Sequence, residues 1–148
     1  MVIIKTVNSE NTDFIELCKL LEEEHVRIIK EQRSQSGNCL KDLEKFKTVF
    51  IAYVDNKAVG CLAMKNIIND TIEVGRLYVL SEYRNLGIAS NLFKNVEEYA
   101  KKLGAKRIIL DTYNRFQAAV SLYKKLGFYK IDNYKENSPF SVCMEKNI

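Results

Sequence analysis

The chain is sparing with residues that break or bridge a fold: one proline and six glycines in 148 residues, and no low-complexity tract. With 47% hydrophobic residues it reads as an ordered globular protein, and disorder as the main state is excluded. Histidine is nearly absent. His25 is the only one and lies in a Glu-rich stretch, so a zinc-type site lacks its usual ligand cluster and no metal is expected. The four cysteines, Cys18, Cys39, Cys61 and Cys143, never fall in C-x-x-C spacing. A chain with a good core needs no disulfide framework, and a reducing cytoplasm fits best. Cys61 and Cys143 lie inside apolar runs and are expected in the core, and Cys39 in an exposed loop. No apolar segment approaches the length that crosses a bilayer, and the N-terminus turns polar after four residues. No membrane partner and no targeting segment are expected.

What is present suits one domain spanning residues 1–148, long enough to bury about two-thirds of its unfolded surface but not to hold two cores. The net charge of +4 is unevenly spread: residues 94–135 carry 10 basic and 4 acidic groups, and the rest nearly balances. Apolar periodicity predicts a strand from Val2 to Val7 and a helix from about Thr12 past His25, whose stripe is Phe14, Leu17, Cys18, Leu21 and His25 or Val26. His25 reads as a helix-surface residue. The stretch from Arg33 to Asp42 loses periodicity and reads as a mobile loop. Thr48 to Val54 and Ala58 to Ile68 form a hairpin around Asp55 to Lys57, and Thr71 to Leu80 adds a third antiparallel strand. A helix from about Ile88 ends at Gly104, and Arg107 to Tyr113 reads as a strand buried on both sides. A second helix from about Phe116 to Leu126 ends at Gly127, and Phe128 to Tyr134 and Ser141 to Ile148 close the chain as strands. The fold class is α/β (α+β): a mixed, mostly antiparallel sheet of about seven strands flanked by helices.

The junction from Leu77 to Ser90 is the most informative. A strand ends, a polar loop with one glycine follows, and a helix begins, so the unpaired amides of the helix start can cradle an anion beside the permanent cation of Arg84. The pattern R-x-x-G-x-A, from Arg84 through Asn85, Leu86, Gly87 and Ile88 to Ala89, resembles the acyl-CoA pyrophosphate loop of the GNAT superfamily of N-acetyltransferases. EVGRLYV (Glu73 to Val79) resembles that family's fourth strand, and AAVSLYKKLGF (Ala118 to Phe128) its last helix leading into a Gly-Phe strand. The element order agrees along essentially the whole chain. LDTYNRFQAAVSLYKKLGF and the residues near Tyr134 and Val142 are similar to an uncharacterised bacterial subgroup.

The resemblance implies acetyl-CoA as co-substrate, held by Arg84, Asn85, Leu86, Gly87, Ile88, Ala89 and Ser90, with the backbone of Leu77, Tyr78 and Val79 facing the thioester and Asn114 on the pantetheine arm. Asn85 stands where the family usually has glycine, and it must take left-handed geometry to serve. Acetylating an amine requires removing a proton from an alkylammonium of pKa about 10.4. Glu73, at the family's offset before the loop, is the candidate base; its alternative is a solvent-facing residue or a partner of Arg76. A phenol beside the sulfur can protonate the departing thiolate, and Tyr123 occupies the family's position for it. A covalent acyl-cysteine is disfavoured because the only histidine lies on another element. The resemblance predicts direct transfer from acetyl-CoA to a primary amine of a small molecule or peptide, and leaves room for a homodimer. Rival readings are a non-catalytic acyl-CoA sensor and an RNA- or tRNA-directed acetyltransferase. Nucleic acid is disfavoured, because no aromatic residues interleave with Arg as RNA motifs require. The basic block is then explained by coenzyme A, a polyanion. The region that chooses the acceptor, about Glu22 to Phe46, shows no charge preference.

Overall fold

A computed structural model describes residues 1–29, 38–135 and 138–148. The elements run β1 (Val2–Val7), α1 (Thr12–Ile29), β2 (Phe46–Val54), β3 (Lys57–Lys65), β4 (Thr71–Val79), α2 (Ile88–Lys102), β5 (Arg107–Tyr113), α3 (Gln117–Lys125), β6 (Tyr129–Ile131) and β7 (Ser141–Asn147). The strands form one seven-stranded sheet in the order β1-β2-β3-β4-β5-β7-β6. Only β4 and β5 pair in parallel. This is the expected mixed sheet. Of the loop read from Arg33 to Asp42, residues 33–37 lie outside the described residues.

Local chemistry explains the boundaries. The Asn11 side chain accepts the Phe14 amide at 3.1 Å and caps α1. Asp55 and Asn56 both take positive φ, at 48° and 65°, and this two-residue turn matches the twist of the β2–β3 hairpin. β3 stops at Lys65 rather than Ile68, which makes only an isolated bridge to Thr71. β6 is likewise shorter than the run from Phe128 to Tyr134 suggests, and Tyr134 belongs to the connection that returns to β7. Among the described residues no helix is long and apolar enough to cross a membrane.

Two layers of core lie on opposite faces of the sheet. On one, Leu92, Phe93, Val96 and Ala100 of α2, with Tyr123 and Phe128, cover Ile72, Val74, Ile108, Leu110, Val142 and Met144. Burying each such aliphatic side chain contributes about 1.5–3 kcal/mol. On the other, Phe14, Leu17 and Cys18 of α1 cover Phe46, Val49, Ile51, Cys61 and Ala63. That layer rests chiefly on β2, β3 and β4. The expectation that β5 is buried on both sides is therefore corrected: Ile108 and Leu110 are buried, while Arg107 and Asp111 are exposed. A strand presents alternate residues to opposite faces, and α1 does not extend far enough to cover the second one.

Candidate active site

β4 and β5 pair only through Thr71–Glu73 and Arg107–Ile109, and then diverge. Into the gap opens a cavity of about 420 Å³, lined from one side by Val74 to Leu77 and from the other by Leu110 to Tyr113. That volume suits a small-molecule site. A bulge helps to open it: Cys61 pairs with Tyr78 but Ala63 with Gly75, so Arg76 and Leu77 together oppose Leu62 alone. Arg76 sits at φ 59° and its carbonyl accepts the Cys61 thiol at 3.3 Å. The ladder is broken where the family resemblance calls for strand amides near Leu77 to Val79.

Beyond β4, residues Ser81–Tyr83 form a single 3-10 turn, and Arg84 to Gly87 then lead into α2. Asn85 does adopt the left-handed geometry its position demands, at φ 63°, and Gly87 follows at φ 80° with nothing within 4 Å of where a Cβ would project. Open space over a glycine at the start of a fifteen-residue helix leaves the helix's first amides able to receive an anion. Arg84 is anchored beside it, donating from Nε to the Val79 carbonyl at 2.8 Å, pairing with Glu24 at 2.9 Å and lying over the Tyr78 ring. Burial, with the Glu24 charge added, pushes the Tyr78 phenol up. Leu86 is exposed, Ile88 is buried, Ala89 packs on the α2 core, and Ser90 faces a second cavity with Lys94 and Lys101.

Tyr123 lines the main cavity, nearly buried and set edge-on against Phe93 and Phe128. Burial first, and the charge of Asp111 second, push its phenol far above the usual range, so it stays protonated at neutral pH. Asn114 does not join the cavity wall. Its side chain is exposed and its amide donates to the Phe140 carbonyl at 2.8 Å, while Thr112, Tyr113 and Phe116 supply that side of the wall.

Glu73 is neither solvent-facing nor paired with Arg76. Its carboxylate takes Lys65 at 3.3 Å and Lys135 at 2.5 Å, and it sits behind these two lysines, which line the cavity where Glu73 does not. The bulge explains the change of partner. Left-handed backbone turns the Arg76 side chain away, to donate to the carbonyls of Cys39 at 2.9 Å and Lys41 at 3.0 Å and to lie over the Phe46 ring.

Those bonds also overturn the placement of Cys39. It is buried at 4% exposure, its amide donating to Glu22 at 2.9 Å and its sulfur 3.5 Å from Nδ1 of His25. The only histidine does lie on another element, but Cys39 rests against the last turns of α1 and meets it there. His25 is no surface residue either: it lines the cavity and packs on Phe116 at 4.7 Å between ring centroids. Sequence reading missed Asp111, Lys65 and Lys135. Alternation along RIILDTY marks Asp111 as the odd polar residue of an apolar strand, the one signal that points to it.

Residues 12–128 match the profile of the Acetyltransferase (GNAT) family. An uncharacterized N-acetyltransferase of Schizosaccharomyces pombe is 37% identical over 81 residues, 54% of this chain and 50% of that protein. Human N-acetyltransferase 8 is 31% identical over 108 residues, 70% of this chain and 44% of that protein. The chain thus spans about half the length of these curated relatives or less. The PaiA N-acetyltransferase of Thermoplasma acidophilum, solved in complex with coenzyme A, superposes with a TM-score of 0.77 at 22% identity, covering 100% of this chain and 99% of that one. A GNAT acetyltransferase of Staphylococcus aureus does so at 0.79 and 19% identity, covering 99% of each chain; at such identities the likeness is one of fold. The family profile spans most of the chain, and with the splayed strands, the bulge and the left-handed turn before α2 on the page, the chain belongs to the GNAT acetyltransferase family.

Proposed function

We propose that this protein is an N-acetyltransferase, moving an acetyl group from acetyl-CoA to a primary amine of a small molecule or peptide by direct attack in a ternary complex. The observation that carries this reading is the divergence of β4 from β5 at a bulge, beside an open helix-start cradle. Those residues fit the cofactor. Gly87 leaves room for an anion, the α2 amides and Arg84 offer it positive charge, and the gap between the strands suits an extended arm that pairs like an added strand. Bound there, acetyl-CoA supplies an activated acyl group. The similarity to a coenzyme A complex supports the same choice.

The chain's own groups then have distinct tasks. Backbone amides around the bulge, from Leu77 to Val79, hold the carbonyl oxygen as it gains charge. Glu73 takes the proton from the acceptor amine through water. Tyr123, kept as a phenol by its burial, gives a proton to the departing thiolate and regains one from solvent. Free-thiol release from acetyl-CoA across a panel of amines tests the reading, together with Glu73→Gln and Tyr123→Phe. Unchanged turnover and pH profile in both variants remove these roles. Coenzyme A binding without thiol release for any amine makes the protein a sensor, and tRNA binding with a steep salt slope redirects the acceptor to RNA.

One observation favours a second route, an acyl-enzyme on Cys39, whose sulfur lies 3.5 Å from His25. Acetyl-CoA would lose its acyl group to that sulfur and leave as free thiol before the amine attacks. Cys39→Ala separates the routes, since direct transfer keeps its turnover and the covalent one loses it.

A further inference from the structure

The polar face of the sheet holds an ammonium group seated between two carboxylates. Lys135, in the connection from β6 to β7, places its Nζ 2.5 Å from Glu73 and 3.0 Å from Asp111. Burial alone would lower the Lys135 pKa, but Asp111 and Glu73 outweigh it and the net direction is up, so this amine is held as a cation. Next to it the Tyr134 hydroxyl is buried and has no hydrogen-bond partner, and among the described residues it is the one side-chain polar atom in that condition. Lys135 Nζ lies 5.9 Å from the centroid of the Tyr134 ring, whose phenol is pushed up by burial, and after that by the charges of Glu73 and Asp111. A buried hydroxyl without a partner costs about 1–3 kcal/mol, and it marks a place where a water or a ligand completes the bonding.

Two facts conflict if Glu73 is the base. A base must meet the acceptor amine, yet Glu73 does not face the cavity, and Lys135 does. The conflict resolves if Lys135 occupies the position the acceptor takes. We propose that Glu73 and Asp111, beside the Tyr134 ring, form the acceptor's ammonium subsite, that Lys135 fills it as a built-in stand-in, and that the substrate class is an unhindered aliphatic primary amine that displaces Lys135. Asp111 is then a binding residue that orients the incoming ammonium, and Lys135 an internal competitor that keeps the paired carboxylates from facing each other uncompensated. Exchanging one alkylammonium for another preserves the local charge, so entry of the acceptor leaves neither carboxylate without a cationic partner. An aryl amine, mostly neutral at pH 7, cannot make that exchange. The inference rests on the acetyl-transfer reading for what happens next, but the binding step stands apart from it.

The test follows the Lys135 ammonium signal by nitrogen-edited NMR in the full chain with coenzyme A bound, the signal being assigned by its loss in Lys135→Gln. Added n-butylammonium is expected to shift it, saturably, toward the position of a solvated lysine. Binding of n-butylammonium is expected to be about tenfold tighter in Lys135→Gln, which lacks the competitor, and about tenfold weaker in Asp111→Asn, as suits the loss or gain of one charge-assisted hydrogen bond. A Lys135 signal that stays put while an amine is bound or turned over overturns the proposal, and so does equal affinity in wild type and Lys135→Gln. If n-butylammonium displaces Lys135 while no aliphatic amine releases thiol from acetyl-CoA, the subsite stands and the acetyl-transfer reading falls. The wild-type titration needs no variant, so a poorly folding substitution does not shield the proposal.

Discussion

The strands β5 and β7 show two different proteins on their two faces. Toward α2, Ile108, Leu110, Val142 and Met144 are buried in a continuous apolar layer. The alternate residues Arg107, Asp111 and Glu145 face the opposite side, where Arg107 pairs with Glu145, Tyr129 donates to that same carboxylate, and Lys135 bridges Asp111 to Glu73. The burial pattern follows from what each face is given to pack on. On the first face α2 residues together with Tyr123 and Phe128 complete the apolar layer, whereas α1 rests on β2 to β4 and leaves β5 and β7 to charged pairs and a cavity. Residues on the first face therefore set stability. Those on the second are free to set chemistry.

Crossing that boundary should be costly in different currencies. The largest effect is expected from Glu73→Gln, with kcat for acetyl transfer falling by about 10²–10⁴-fold, as removal of a general base does, while the urea midpoint changes little; loss of the midpoint instead would make Glu73 a structural residue. Next comes a neighbouring pair on one strand. Leu110→Ala should cost about 2–5 kcal/mol through the cavity it leaves, and Asp111→Ala under about 1 kcal/mol because its ion pair is partly exposed. Equal costs, read from denaturant unfolding, would erase the distinction between the faces. Gly87→Ala puts a Cβ on a residue at φ 80° and is expected to strain the turn by about 1 kcal/mol, weakening coenzyme A binding several-fold in a calorimetric titration.

The smallest effect concerns how α1 is tied to its face. Burial, and then the hydrogen bond to Asp13 at 2.5 Å, push the Tyr53 phenol up to about 12. The folded pKa lies above the unfolded value of about 10, so the contribution is complete below pH 10 and is lost as pH rises from there toward 12. Urea midpoints of wild type and Tyr53→Phe should therefore converge over that window. A difference that stays constant through it would mean that the bond contributes nothing.

Much of the local structure, including the turn that leads into α2, could be read before any coordinates. The helix stripe of Phe14, Leu17, Cys18 and Leu21 is buried as its spacing indicates, and Asn85 takes the left-handed turn that glycine usually supplies. What went astray depends on residues far apart in the chain. Cys39 sits in a polar stretch that reads as exposed, yet Arg76, thirty-seven positions on, pulls its carbonyl inward. Glu73 was matched with Arg76 by proximity in sequence, but a bulge at Arg76 reverses that side chain and hands the carboxylate to Lys65 and Lys135.

By itself, then, the sequence determined the element order, the apolar faces of the helices and the left-handed turn that leads into α2, because these depend on residues within a turn or a strand of one another. Only the tertiary structure decided which charges meet. The divergence of β4 from β5, the burial of Cys39 beside His25 and the seat of Lys135 between Glu73 and Asp111 all arise where separate elements converge. Local periodicity carries no record of such meetings, since the energy that holds them is gained only once the sheet has brought distant side chains together.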